Sequence, residues 1–324
     1  MSMKFRGKTL LAKLQPNPAT DPEPDGSNAI ITEELNWQPY EGNRITVERD
    51  RLTLGNFKEI NTSPQIGASF NVDFSGAGDS DNPDQPPGYG VLLRACGLSE
   101  TIDSTATEEK VIYQPVSEGF EEVALYFVRQ GILHKGLNCK GNVQINLGAE
   151  QLPRFQFDNF VGLYVKPSAP PSGGSAIVPA AEHFTDAVAF TKDNSPVFTF
   201  DGETFAPCTN SFTFNLNNTV AWKDEANCRG SIIEDRRPAG EIVIKAPNFA
   251  NKDLFAFLES HQGVTTTDVK VQHGTTAGNI VEILLPKIQF TTLQETEVRG
   301  ELYYTIGYNA LPDDGDDEIQ IIVR

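Results

Sequence analysis

The chain of 324 residues has little of what catalytic and metal-binding proteins display. Its four cysteines, Cys96, Cys139, Cys208 and Cys228, include no CxxC pair, which argues against a zinc site and against a small disulfide framework. Reduced thiols are expected, and nothing in the spacing decides whether Cys208 and Cys228 are neighbours. The four histidines, His134, His183, His261 and His273, never stand at HExxH or HxH spacing, so a metal centre would need unrelated loops to converge. GxSxG, P-loop and GxGxxG motifs are all missing. No apolar run approaches the roughly 18 residues of a membrane helix, and 1–14 lacks the long apolar core of a signal peptide. Cations are scarce too. Lys and Arg number 26 against 44 Asp and Glu, a formal net charge of −18, with the acidic excess spread over both halves. Duplex binding needs cations to displace counterions, so such a chain repels nucleic acid by default.

The acidic stretches do not replace the missing sites. Asp79, Asp81 and Asp84 lie in a loop that superficially matches a calcium loop, but it lacks the sixth-position glycine and the closing glutamate, and Pro83 interrupts it. Asp313, Asp314, Asp316, Asp317 and Glu318 read as a charged hairpin turn. Nothing singles out a carboxylate pair for glycoside hydrolysis. The reading is of a protein with no catalytic, cofactor or metal residues.

What is present is strand periodicity. With 39% hydrophobic residues, 27 Gly and 21 Pro, the composition suits a loop-rich globular protein long enough for two domains. In GNVQINLGAEQLPRFQFDNFVGLYV, residues 141–165, Val143, Ile145 and Leu147 face one way and Asn142, Gln144 and Asn146 the other. After a break at 148–153, Phe155 and Phe157 resume the apolar side, opposed by Gln156 and Asp158. Period-two alternation marks a strand with one buried and one wet face. The same pattern sets Phe70, Val72 and Phe74 against Asn71 and Asp73, and Phe212, Phe214 and Leu216 against Thr213, Asn215 and Asn217. These wet faces carry short polar groups in place of the usual lysines.

Further strands are expected at 44–54, 111–115, 121–130, 133–137, 197–200, 241–245, 268–272, 280–290, 297–309 and 318–323. Two helices are expected. YGVLLRACG places Leu92, Leu93 and Cys96 on one face with Gly97 as C-cap. NKDLFAFLESHQG, 251–263, has Asn251 as N-cap, Leu254, Phe255 and Leu258 on one face, Gly263 after its end, and His261 in the last turn as a dipole partner. Residues 1–40 read as an extended arm, since 15–28 holds four prolines. The division is then 1–40 arm, 41–165 first domain, 166–195 linker rich in Pro, Ser and Gly, and 196–324 second domain. Both halves run strands, one short helix, then strands, which reads as an internal duplication.

The words KTLLAKLQPNPATDPEPDGSNAI, PYEGNRITVERD, GYGVLLRACGLSE and YQPVSEGFEEVALYFVRQGILHKGLNCKGNVQINLGAEQLPRFQFDNFVGLY, spanning 8–165, resemble the tail tube proteins of long-tailed bacteriophages. The second half departs from those motifs. The resemblance implies two tandem β-sandwich domains, mainly β with one short helix each, whose sheets join neighbouring subunits into a ring-shaped β-barrel. It implies a virion protein assembled in the host bacterial cytoplasm, with no membrane partner. Its own copies form trimeric, pseudo-hexameric rings stacked in a tube, alongside tape-measure and tail-terminator or tail-tip proteins, and DNA passes through without specific binding. On that reading Asn71, Asp73, Asn142, Gln144, Asn146, Gln156, Asp158, Thr213, Asn215 and Asn217 face a lumen. The arm, through Leu10, Leu11 and Leu14, reaches the next subunit. The alternative is a β-rich carbohydrate- or receptor-binding tail module, which would want an exposed aromatic strand face; Trp37 and Trp222 offer few rings for one.

Overall fold

A computed structural model of the chain describes residues 7–77, 83–105, 109–170 and 185–324. The first strands are β1 Lys8–Leu14, β2 Ala29–Ile30, β3 Glu33–Glu41, β4 Arg44–Val47, β5 Lys58–Asn61 and β6 Gln65–Asp73. Helix α1, Gly90–Ala95, precedes β7 Leu98–Asp103, β8 Lys110–Pro115, β9 Val123–Arg129, β10 Ile132–Gly148 and β11 Arg154–Ser168. Then follow β12 Val197–Phe200, β13 Thr209–Asn215, β14 Thr219–Glu225, β15 Cys228–Asp235 and β16 Ala239–Lys245. The chain closes with β17 Thr267–His273, β18 Val281–Val298, β19 Glu301–Ala310 and β20 Gln320–Val323.

Sixteen of these strands form one antiparallel sheet, while β4–β5 and β14–β15 are separate hairpins. Its backbone is the run β3-β6-β11-β10-β13-β16-β19-β18. The first part of β10 also pairs with β9, and β9 with β1. The first part of β18 pairs with β17 and β20, which continues to β8 and β7. These strands supply a second layer. Phe70, Phe155, Phe157, Ile145, Phe212, Ile242 and Ile306 from the run share one core with Val111, Tyr113, Val271, Ile283 and Ile321 from the second layer. The two-layer solution follows from the alternation, because each strand has a single apolar face to hide.

Tight hairpins set much of the register. Gln130 and Gly131 (φ 41° and 87°) join β9 to β10, and Arg299 and Gly300 (φ 52° and 82°) join β18 to β19. Two successive positive φ values are those of a type I′ turn, whose twist matches the strands it joins. Helix α1 forms where the sequence places it, with Leu92, Leu93 and Cys96 wholly buried and Gly97 following at φ 83°.

β10 changes partners along its length, and it bends to do so. Its register against β11 shifts between Leu137 and Lys140 and again between Lys140 and Asn142, with Asn138 at φ 54°. A buried polar knot holds the bend. Asn138 donates from its backbone to Gln15 Oε1 (2.8 Å) and from Nδ2 to Glu122 Oε2 (2.6 Å). Lys140 Nζ meets Glu122 Oε1 at 2.7 Å and the Ser231 carbonyl at 2.9 Å. One knot thus ties the N-terminal segment, β10 and the β14–β15 hairpin together.

Several expectations need correction. The segment read as an arm is a core strand: β1 pairs with β9 over its whole length, and Leu10 and Leu11 are fully buried in their own chain. Leu10 and Ala12 face the main core, and Leu11 packs with Ala29, Tyr126 and Leu133 on the other side. The prolines begin only after β1, at Pro16, so the argument from their density did not reach residues 8–14. The Pro-rich segment straps across the sheet, where Asp21 accepts hydrogen bonds from Tyr126 (2.5 Å) and Lys135 (2.8 Å). Residues 1–6 lie outside the description.

The expected helix at 251–263 is reduced to a 3-10 turn, Phe255–Phe257. Asp253 Oδ1 accepts from the Phe255 and Ala256 backbones, and Leu254 is buried while Phe257 packs on Phe290. Those anchors hold a single turn, so the segment goes no further and His261 has no helix terminus to face. The strand expected over 44–54 covers only β4, and the hairpin β14–β15 was not foreseen. Of the expected linker, 171–184 lies outside the described residues, with His183 among them. Residues 166–168 complete β11, and Phe190 exchanges backbone hydrogen bonds with Glu150 and Gln151.

Two measurements check this account. Leu11→Ala is expected to lower unfolding free energy by about 2–5 kcal/mol, and removing residues 1–28 to abolish the cooperative transition, both read by urea denaturation of the monomer. Lys140→Ala, which strands Glu122 in a mostly buried site, is expected to cost about 3 kcal/mol or more, whereas Lys140→Met with Glu122→Gln loses less.

Candidate functional site

The eight-strand run has a second face, and its composition is legible from the register. Glu33, Asn71, Gln156, Gln144, Asn215, Ala239, Asn309 and Gln289 stand opposite one another in succession from β3 to β18. The next row is Asp73, Arg154, Asn146, Thr213, Glu241, Gly307 and Thr292. Partners across an antiparallel ladder share a face. Six strands from two halves of the chain therefore meet in one continuous polar surface, flanked at its edges by β3 and β18.

The amides on this surface bind one another. Gln144 Nε2 donates to Asn146 Oδ1 (2.9 Å), and Asn146 Nδ2 donates to Gln156 Oε1 (3.2 Å). Asn142 Nδ2 donates to Asp158 Oδ1 and to Asn215 Oδ1, each at 2.9 Å, so the network crosses from β11 through β10 to β13. Asn71 Nδ2 donates to Glu34 Oε2 at 3.0 Å. Side chains that satisfy one another in this way hold their shape and offer few free donors to an anion.

Most of the residues read as wet from the sequence fall in the two rows: Asn71, Gln156, Gln144 and Asn215 in one, Asp73, Asn146 and Thr213 in the other. Asp158 lies one step further along, partly exposed. Two differ. Asn142 is buried, 5% exposed, because its amide fills the junction between β11 and β13 and its Oδ1 accepts from the Asn218 backbone. Asn217 lies beyond the end of β13 at φ 52° and turns its amide to the Arg237 carbonyl. It is an exposed turn residue and not part of the strand face.

Sequence reasoning missed the rest of the surface. Glu241, Thr305 and Asn309 alternate with Ile242, Ile306 and Tyr308, a signal as plain as the one in β10. It also missed Arg154, which contradicts a face without cations. Arg154 Nη2 pairs with Glu33 Oε2 at 2.5 Å across from Asp73, so its charge is spent on neighbouring carboxylates. Partial burial, reinforced by Glu33 and opposed by Arg154, holds the Asp73 carboxyl above its ordinary range. Lys245 at the rim is likewise paired with Glu301 (2.6 Å). A shallow trough of about 590 Å³ runs among Asn71, Asn146, Arg154, Gln156 and Thr213.

Elsewhere the described residues hold no group of three or more His, Cys, Asp or Glu side chains placed to bind a metal. His273 is buried between Ser195 Oγ (2.8 Å) and the Val188 carbonyl (3.1 Å), and burial lowers its pKa. It pins segment 188–195 to β17 with no carboxylate behind it. All four thiols are free, Cys96 and Cys139 buried and Cys208 and Cys228 exposed. No described helix is long and apolar enough to cross a membrane.

The partly exposed rows are expected to tolerate charge. Gln144→Lys with Asn146→Lys should lower monomer stability by no more than about 1 kcal/mol, measured by thermal unfolding; a loss as large as that of Leu11→Ala would mean that the face is packed.

A family model described as phage tail tube protein matches residues 8–321, nearly the whole chain and both halves of the sheet. The chain belongs to that family. No curated protein matches it.

Proposed function

We propose that this phage tail tube protein is a non-enzymatic structural subunit whose copies close their sheets into rings, three chains to a ring, and stack into the conduit for genome ejection. The observation that carries this reading is the eight-strand run, with one apolar face, one polar face and two open edges. Among the described residues β3 pairs only with β6, and the distal half of β18, 289–298, pairs only with β19. Because the run is antiparallel and even in number, β18 of one copy meets β3 of the next in antiparallel sense, and the pattern repeats around a ring without a mismatched seam. Closure removes both edges, which as free strands would otherwise invite uncontrolled pairing.

In that ring the polar rows line the lumen. Self-satisfied amides, carboxylates in excess and cations already paired form a wall that gives DNA no phosphate grip, so the polyanion slides past it. Tape-measure and tail-terminator or tail-tip proteins are the further partners, and the particle is a virion component assembled in the host cytoplasm. A glycan-binding module finds less support. Trp37 is buried against Phe127 with ring centroids 5.4 Å apart, and Trp222 is half-buried, so neither forms an open aromatic platform.

Electron microscopy of the purified full chain is expected to show hollow tubes whose rings average to three chains; six full-length chains per ring would overturn the stoichiometry. Phage carrying Gln144→Lys and Asn146→Lys should assemble normally and eject DNA more slowly at low salt, with recovery at high salt as counterions compete for the new ammonium groups. Normal ejection from normally assembled tails would place these rows outside the lumen.

A further inference from the structure

Two kinds of seam belong to the eight-strand run. One lies inside the chain, where β10 and β13 meet through Gln144–Asn215, Ile145–Phe214, Asn146–Thr213, Leu147–Phe212 and Gly148–Ser211. None of these residues is charged, and Asn142 ties the seam with a hydrogen bond to Asn215 (2.9 Å). The other seam exists only between copies, where β18 of one chain reaches β3 of the next. Its two edges have a different chemistry. β3 reads EELNWQPYE, with Glu33, Glu34 and Glu41 and no cation. The distal half of β18 reads QFTTLQETEV, with Glu295 and Glu297 and again no cation.

Cations beside these edges are already engaged. Arg154 holds Glu33 (2.5 Å), Lys8 Nζ donates to the Leu35 carbonyl (2.6 Å), and Arg299, just past the end of β18, pairs with Glu150 (2.8 Å). Glu33 therefore brings its own counter-ion to the seam. Glu34 accepts from the neutral Asn71 amide (3.0 Å), and Glu295 and Glu297 stand exposed.

β3 is nine residues long, so antiparallel pairing gathers the carboxylates along about 30 Å of strand. Like charges facing each other across a ladder oppose its formation. Salt sets how strongly. The screening length is about 30 Å at 0.01 M and about 3 Å at 1 M. In dilute salt every carboxylate on the seam thus feels the others, and in concentrated salt none beyond its contact neighbours. A ring closes this seam once per chain, so a modest penalty at each seam is repeated around the ring.

We infer that the lateral seam is charge-gated: Glu34, Glu295 and Glu297 keep the free edges of separate chains apart until counterions screen them, whereas the uncharged internal seam forms once, on folding, and stays closed. The inference rests on the ring reading above and adds what regulates ring closure. It also gives the single chain, whose edges are otherwise ready to pair, a reason to stay single.

The test is Glu295→Gln with Glu297→Gln in the full chain, compared with the unaltered protein by sedimentation and electron microscopy over a concentration series at about 0.01 M and about 1 M sodium chloride. Both side chains are solvated in the single chain, so folding is untouched. The unaltered chain is expected to need about tenfold or more higher concentration for rings at the lower salt, and the variant to lose most of that difference. Glu295→Lys with Glu297→Lys should invert it, with rings forming most readily at low salt, because the seam then attracts. Glu118→Gln with Asp193→Asn makes the same change in net charge at exposed positions off the eight-strand run and should leave the salt dependence as it was. An equal shift in that control would assign the effect to net charge and overturn the gate. Unaltered protein whose ring formation ignores salt, or a Gln variant as salt-dependent as the unaltered chain, would overturn it while leaving the ring reading in place. Chains that form no rings at any salt would sink the ring reading, and the gate with it.

Discussion

Everything in this molecule depends on β10 serving two layers of the sheet with one strand. Its first part pairs with β9 and its last residues, Gln144 to Gly148, pair with β13, while β11 accompanies it on the other side. Without the bend at Asn138 the strand could not make both sets of partners, and the run β3-β6-β11-β10 would not continue into β13. The bend leaves a left-handed backbone and a lysine inside the protein. Both are tolerated because Gln15 accepts from the Asn138 backbone N–H, Ser231 donates to the Asn138 carbonyl, and Glu122 accepts from the Asn138 amide and the Lys140 ammonium. The N-terminal segment is therefore structural twice over, once as β1 and once as a member of the knot. A buried ion pair is a weak source of stability by itself, but leaving one half of it unpaired is costly, so the knot acts as a strong constraint on which segments must come together.

The eight-strand run that results has the same logic on both faces. Inside, Phe and Ile side chains from alternate positions merge into one core shared with the second layer. Outside, the intervening positions carry groups that are polar, short and mostly bonded to one another. A surface of lysines would be equally soluble, but it would grip phosphate; a surface of free carboxylates would repel itself. Amides that pair across strands avoid both, and the two cations within reach, Arg154 and Lys245, are each held by a glutamate.

The ends of the strands differ from each other as much as the faces do. One end throws out a hairpin whose leucines are bare, and the other presents a rim of aromatic side chains among glutamates. The two ends of the strands are therefore chemically distinct.

The sequence by itself determined the alternating strands of the central run, the apolar face that each of them buries, and where α1 sits. Phe70, Phe155, Ile145 and Phe212 alternate with polar neighbours, and a period of two admits no other reading. It also determined the absence of catalytic and metal-binding motifs, and its motifs pointed to the family. Tertiary structure alone decided the rest. Leu10 and Leu11 look the same in a free arm and in a core strand, because a short segment such as KTLLAKL does not say whether a partner such as β9 waits far along the chain. The helix at 251–263 failed because Leu254 and Phe257 find their pockets after a single turn, and burial outweighs the helical pattern around them. That Asn142 is buried while Gln144, two residues along on the same face, is not follows from Asn215 and Asp158 closing over it. Register is a long-range property: alternation fixes what each strand hides, and only the packed sheet decides which strands lie side by side.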